Sequence, residues 1–372
     1  MQQVAQAWLV LEISKSAFLL GLDAFLGNIP IVLFSLVGGV VADRMDRRHL
    51  LLASQYIQMA SAFLLAALIA TGVVHVWHIL CLSFVVGTAQ AFGGPAYSAL
   101  VPSLVDKEDL PNAIALNSIQ FNLARVIGPV LGGLALTHLG ATWCFALNGI
   151  SFIAVIVSLY MLHINFKPEK TGESILYSMK EGFRFIRKQG AMESLIVLGF
   201  CMTALTIPMI TFLPVFAKDV FHRGAQTYTF LLSSSGMGSV AGALIVAAMG
   251  NIRNKGQVAL MMLICLGAGI AGFALSRSLV VSCILLFLSG AALIGAFAMI
   301  SSLVQLLTGN EMRGRVMSVY NVAFRGGMPI GNIVTGYLVP RFSAPLVLSV
   351  NGLLLLGLGF YFLIGQRRVA SL

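Results

Sequence analysis

Long apolar blocks broken by short polar turns run the length of the chain. Twelve can be counted, near residues 1–14, 18–41, 50–72, 77–101, 112–136 and 142–163, then 191–216, 225–249, 257–275, 279–304, 314–338 and 343–365. A helix needs about 20 apolar residues to cross a bilayer. Helices satisfy their own backbone hydrogen bonds in lipid, so they are the expected form. No period-two alternation occurs, which argues against an outer-membrane barrel. The first block is the exception, because its fourteen residues rise about 21 Å against a hydrocarbon core of roughly 30 Å. It lacks the basic flank of a secretory signal. The expectation is therefore a chain that starts inside its first helix, through a late start codon or a truncated gene.

A polar segment, 164–190, separates a first bundle (1–163) from a second (191–372). Within it, SILYSMKEGFRFIRKQ sets Ile175, Leu176, Met179, Phe183 and Ile186 on one helical face, with Lys180, Glu181, Arg184, Arg187 and Lys188 largely elsewhere. That pattern predicts an amphipathic helix on the inner leaflet, with a soluble partner-binding helix as the alternative. The two bundles also repeat. Gly87 matches Gly290, Leu100–Val101 matches Leu303–Val304, Glu108 matches Glu311, and Asn148–Gly149 matches Asn351–Gly352, all at an offset of 203. Arg125 and Pro129 match Arg325 and Pro329 at 200. Two similar six-span halves with a substrate site between them form a carrier architecture.

Composition sharpens the class. Hydrophobic residues make up 58% and charged residues 10% of the chain, against roughly 25% charged in soluble domains. The net charge of +10 would suit nucleic acid, but its distribution follows membrane topology instead. If residue 1 heads outward from the cytoplasmic side, 16 basic residues fall on inside segments and 5 on outside ones. This places the central loop and the C-terminus on the cytoplasmic side of the membrane. The five cysteines lie in apolar blocks and the six histidines are scattered, so no metal or cofactor is expected. There is no phosphate-binding loop and no nucleophile beside a base, so neither ATP-driven pumping nor enzymatic activity is expected.

Candidate chemistry concentrates in four places. After the second block, GGVVADRMDRRHL fits G-x-x-x-D-R-x-x-R-R through Gly39, Asp43, Arg44, Arg47 and Arg48. Gly39 would allow close helix packing, and Asp43 at a helix end can pair with a base or face another helix's N-terminus. A stop-transfer charge cluster is the bland alternative. The family motif that this stretch resembles, named below, usually has glycine where Asp46 stands, which puts a tight turn there in question. The fifth block carries Ala124, Gly128–Pro129 and Gly132–Gly133, where proline bends a membrane helix and small residues pack closely. On a helical wheel, Asn117, Gln120 and Arg125 share one side of that block, and Asn321, Arg325 and Asn332 share a face of the eleventh. Arginine at the bilayer centre costs about 2.5–3.5 kcal/mol on insertion scales. Two of them at equivalent positions point to a water-filled cavity, or to bonds with helix carbonyls. Proton coupling needs a carboxyl that loads and unloads. Glu12 and Asp23 are the candidates, with Glu193 also near a membrane edge. Gln3, Gln6, Asn28, Gln90, Tyr97, Thr203 and Thr206 are further polar groups for a path or for bridges between helices.

The first of these patterns resembles motif A of the major facilitator superfamily, and the second resembles its antiporter motif C. The stretches MQQVAQAWLVLEIS, GGVVADRMDRRHLLLASQ, NSIQFNLARVIGPVLGG and GRVMSVYN resemble the bacterial subgroup of enterobactin exporters and macrolide efflux proteins. The resemblance implies an all-α membrane protein of the major facilitator fold, with Asp43, Arg47 and Arg48 as a cytoplasmic gate. It also implies export of a small amphipathic molecule in exchange for protons. Uptake or facilitated diffusion of an anionic metabolite, a non-transporting sensor and a truncated inactive carrier fragment stay open beside it.

Overall fold

The computed structural model describes residues 1–100, 103–106, 108–162, 175–250, 254–309, 312–365 and 369–371. The side chains of Leu36, Asp43, Ser118, Asn122, Arg125, Val126, residues 175–179 and Lys188 lie outside that description. So do six of the basic residues counted for orientation: Lys107, Lys167, Lys170, Arg253, Arg367 and Arg368. The chain divides into two compact units, 1–173 and 174–372.

The first unit holds α1 (Gln2–Ser14), α2 (Ala17–Arg44), α3 (Arg47–Ala70), α4 (Val76–Leu100), α5 (Leu110–His138) and α6 (Ala141–Met161). The second holds α7 (Ile175–Lys188), α8 (Gly190–Thr211), a short α9 (Leu213–Val215), α10 (Ala225–Met249), α11 (Lys255–Leu275), α12 (Leu279–Leu306), α13 (Arg313–Phe342) and α14 (Ala344–Phe360). Among the described residues, nine helical segments are long and apolar enough to cross a membrane. The 29-residue α5 and the 30-residue α13 have the length, at about 1.5 Å per residue, but carry polar stripes. α1 has 13 residues. Large apolar side chains such as Leu33, Met161, Leu244, Leu275 and Val280 stand more than half exposed. Exposed apolar surface on that scale marks contact with another apolar phase, here lipid.

Lipid tails are as apolar as leucine, so helices in a membrane associate by close packing rather than by escape from water. Glycines supply that closeness at corresponding places in both units. α4 lies on α2, where a Cβ at Gly87 would sit 2.5 Å from the Gly27 carbonyl oxygen. α12 lies on α10, where a Cβ at Gly290 would overlap the Ser235 carbonyl. Likewise Gly149 of α6 faces the Phe63 ring of α3, with 2.8 Å to a Cβ, and Gly352 of α14 faces the Gly267 carbonyl of α11, with 2.7 Å. The two glycine pairs repeated at an offset of 203, Gly87 with Gly290 and Gly149 with Gly352, therefore perform the same packing in each unit.

Two further contacts complete the parallel. Gly132 of α5 receives α1, and a Cβ there would lie 2.9 Å from the Met1 Cα. Gly327 and Gly331 of α13 receive Thr203 and Ala204 of α8.

Candidate functional site

A buried carboxyl cluster joins three helices of the first unit. Asp23 on α2 is 7% exposed. The Gln6 amide on α1 donates to both its oxygens, at 3.0 and 2.9 Å, and to Ser83 Oγ on α4 at 2.8 Å. The Ser83 hydroxyl lies 2.5 Å from Asp23 Oδ1 as a donor. It also lies 2.9 Å from the Ile79 carbonyl, one turn back on its own helix. No basic side chain pairs with Asp23 among the described residues. An unpaired buried carboxyl needs hydrogen bonds at every lone pair it can fill, and the two neighbouring helices supply them. Of the two main proton-coupling candidates, Asp23 is enclosed, whereas Glu12 is exposed at the end of α1. Glu193, near the start of α8, is exposed as well.

The α2–α3 turn is built from its basic residues. Arg47 donates through Nη1 to the Ala99 carbonyl of α4 at 3.1 Å and through Nε to the Ala42 carbonyl at 3.4 Å. Arg48 donates through Nη2 to the Tyr160 carbonyl of α6 at 2.7 Å and lies over the Tyr160 ring, 5.6 Å from its centroid. Helix C-termini present unsatisfied carbonyls and partial negative charge, so the two arginines tie the ends of α2, α4 and α6 to the start of α3. Arg44 is exposed. The Asp43 side chain lies outside the described residues.

Two expectations about this turn are corrected. The close packing expected of Gly39 belongs to Gly38: among the described residues a Cβ at Gly39 meets nothing within 4 Å, whereas one at Gly38 would overlap the Ala91 carbonyl. The turn at Asp46 needs no glycine, because Met45 and Asp46 have φ of −105° and −60°. Asp46 instead caps α3, accepting the Arg48 N–H at 2.8 Å, with His49 Nδ1 2.8 Å from its other oxygen. Partial burial alone would raise this carboxyl, but hydrogen bonds from Arg48 and His49 outweigh it and hold it below the ordinary carboxylate value of 3.8. A depressed folded-state value means that the cap stabilises above the unfolded value and is lost as pH falls through the folded one. Asp46→Ala is expected to cost about 1 kcal/mol at neutral pH. Its unfolding temperature should converge with that of the parent as the pH is lowered below about 3.8, which thermal melts from pH 7 to pH 3 would follow.

The polar faces of α5 and α13 come out unevenly. Asn117 accepts the Tyr97 hydroxyl of α4 at 2.7 Å and is half-buried, while Gln120 is exposed. The Arg125 side chain lies outside the described residues. Ala124 is exposed, Gly128 and Pro129 are half-buried, and Gly132 and Gly133 are buried. On α13, Asn321 and Arg325 are exposed. Asn332, expected to line a cavity with them, is 1% exposed and its Oδ1 is buried with no partner among the described residues. It shares their angle on the wheel but not their surroundings. Thr203 and Thr206 are fully buried, and Thr203 donates to the Phe324 carbonyl at 2.8 Å, so it bridges α8 to α13 rather than lining a path. Gln6 belongs to the Asp23 cluster. Gln90 donates to Gln58 Oε1 at 3.4 Å, Asn28 donates to its own helix at Ala24, and Gln3 is exposed.

Sequence reasoning missed two features. Ser83 was one: its partner Asp23 lies sixty positions away, and nothing in the local sequence marks its hydroxyl as inward. The other is a cavity of ≈ 360 Å³ within the second unit, where Phe297, Ser301, Ser302 and Gln305 of α12 meet Arg313 of α13. That volume lies in the lower part of the range for small-molecule pockets.

Two bundles of membrane-crossing helices related by a repeat, with polar groups buried at their crossings, define a membrane transporter of the major facilitator class. The chain belongs to the transmembrane secretion effector family, whose pattern matches residues 1–369. It is 26% identical to the enterobactin exporter EntS of Citrobacter koseri, over 95% of this chain and 85% of the exporter. It is 26% identical to the multidrug efflux pump Tap of Mycolicibacterium fortuitum, over 90% and 83%. It is 22% identical to macrolide efflux protein A of Streptococcus pyogenes, over 95% and 89%. In fold it is similar to the nucleoside transporter NupG, with a TM-score of 0.73, 17% identity and coverage of 98% and 94%. It is thus a multi-pass membrane protein that moves a small molecule and is not an enzyme.

Proposed function

We propose that the chain exports a small amphipathic molecule, of drug or siderophore type, in exchange for protons and by alternating access. The observation that carries the coupling is the Asp23 cluster. With Asp23 ionised, Ser83 donates to it. With Asp23 protonated, the new O–H can donate to Ser83 Oγ while the Ser83 hydrogen turns to the Ile79 carbonyl. Both partners lie within hydrogen-bond distance, so one hydroxyl rotation serves both protonation states and leaves no buried group unsatisfied. A carboxyl that can take either state in place is what proton exchange requires.

For the substrate, the exposed groups Gln120, Asn321 and Arg325, with half-buried Asn117 and with Arg125, supply the polar contacts. The cavity beside Phe297 and Arg313 adds an aromatic wall and a cation. Asp43 with Arg44, Arg47 and Arg48 acts as the gate. The 16-to-5 distribution of basic residues supports an inner-membrane protein with the central segment and C-terminus cytoplasmic. The names of the relatives support the outward direction. Movement of an anionic metabolite is the second reading, and exposed Arg325 favours it.

The test is retention of amphipathic dyes and catechol-type siderophores in bacteria stripped of their own exporters. Expression of the chain is expected to lower retention several-fold, and a protonophore or Arg125→Ala to restore it. A well-expressed chain that leaves retention unchanged while speeding entry of anionic metabolites would replace export with the second reading.

A further inference from the structure

The two sides of α7 face different surroundings. At 100° per residue, Glu181, Phe185, Gly182 and Ile186 fall on one side. Gly182 and Ile186 are buried, and a Cβ at Gly182 would lie 2.7 Å from the Arg315 carbonyl oxygen. Glu181 pairs with Arg315 at the first turn of α13. These contacts fix the rotation of α7 about its axis. They also amend the expectation that Ile186 and Phe183 share one lipid-facing surface, since Ile186 packs on the bundle.

The opposite arc, about 100° wide on the same wheel, carries Phe183, Arg187, Lys180 and Arg184, all exposed. Phe183 is 54% exposed, with the Arg187 guanidinium 5.9 Å from its ring centre. Glu181, the one acid of α7, is held by Arg315 on the other side, and the three cations of the arc have no acidic partner among the described residues.

We propose that this arc is a docking surface for anionic phospholipid headgroups of the bilayer. Lys180, Arg184 and Arg187 would pair with the phosphates, and Phe183 would be seated at the acyl boundary. Three observations favour lipid over a soluble partner. The charged side chains of the arc, among the described residues, are all cations, complementary to an anionic leaflet. An exposed aromatic ring beside cations suits the interface between headgroup and hydrocarbon. And α7 ends at Lys188 while the apolar span α8 begins at Gly190, so a single residue separates the arc's helix from the membrane segment. Because Glu181 joins α7 to α13, lipid on the arc would bear directly on the helix that carries Asn321 and Arg325.

The experiment uses the full chain purified in a neutral detergent. Phosphatidylglycerol, phosphatidylcholine and free glycerol phosphate are titrated separately, with thermal unfolding and lipid retention in native mass spectrometry as readouts. The parent is expected to gain stability and to retain lipid with phosphatidylglycerol alone. Each basic residue strengthens attachment to an anionic surface roughly fivefold, so K180Q/R184Q/R187Q should weaken the apparent phosphatidylglycerol affinity about 100-fold while melting like the parent in phosphatidylcholine. K180R/R184K/R187K, which keeps the charge, should respond like the parent, and a glutamine variant that misfolds would be replaced by the single substitutions. An equal response to phosphatidylcholine, an equal response to glycerol phosphate, or an undiminished response of the glutamine variant would each overturn the proposal.

Discussion

Asp23→Asn should abolish proton-driven export, with at least a tenfold fall in gradient-dependent flux and little change in exchange of substrate against substrate. The asparagine keeps the shape of the carboxyl but has no proton to load or release, so the pH gradient loses its point of attachment. Its neighbours respond in a defined way. Gln6 donates to both Asp23 oxygens, and the new amide presents a nitrogen to one of these donors or to the Ser83 hydroxyl. One contact is lost, at a cost of about 1–3 kcal/mol for the unsatisfied group, which a folded membrane protein can survive. The variant should therefore reach the membrane and bind substrate. Proteoliposomes with an imposed pH gradient, compared with the same vesicles in counterflow without one, would separate coupling from binding. Full gradient-driven flux in Asp23→Asn would move the coupling site to another carboxyl, with exposed Glu12 next in line.

How far the sequence discloses this arrangement depends on the range of the contact involved. Helix positions follow from apolar length, which is a local property, so most spans agree with the helices within a few residues. The repeat was also legible, because Gly87 with Gly290 and Gly149 with Gly352 occupy equivalent crossings and are bound by the same packing constraint. Depth and neighbourhood were not legible. Asn332 and Arg325 share a wheel angle, yet one is enclosed and the other exposed, because a wheel records direction about one axis and not which helix covers which turn. Ser83 was invisible for the same reason, since its meaning comes from Asp23 on another helix. Asp46 was misread through a pattern that expects glycine, although an aspartate just before a helical run is a capping signal in its own right.

The adjacent glycines 38 and 39 allow the packing argument to be tested with its control built in. Both lie within α2 and both would gain about 0.5–1 kcal/mol of helix propensity on replacement by alanine. Their surroundings differ. A methyl at Gly38 would overlap the Ala91 carbonyl oxygen and lie 3.1 Å from the Phe92 Cα. Those are backbone atoms of α4 that move only if the helices separate. A methyl at Gly39 meets nothing within 4 Å among the described residues. Overpacking of a tight contact costs about 1–3 kcal/mol, sometimes more, and here the obstacle is main chain rather than a flexible side chain. Gly38→Ala should therefore lose about 1–2 kcal/mol net, seen as a lower unfolding midpoint and reduced yield of folded protein, while Gly39→Ala should match or exceed the parent. Gly242→Ala, whose methyl would overlap the Ala291 carbonyl where α10 meets α12, should lose as much as Gly38→Ala, because the repeat places the same contact in the second unit. Equal behaviour of Gly38→Ala and Gly39→Ala would mean that α2 and α4 are not held by this crossing.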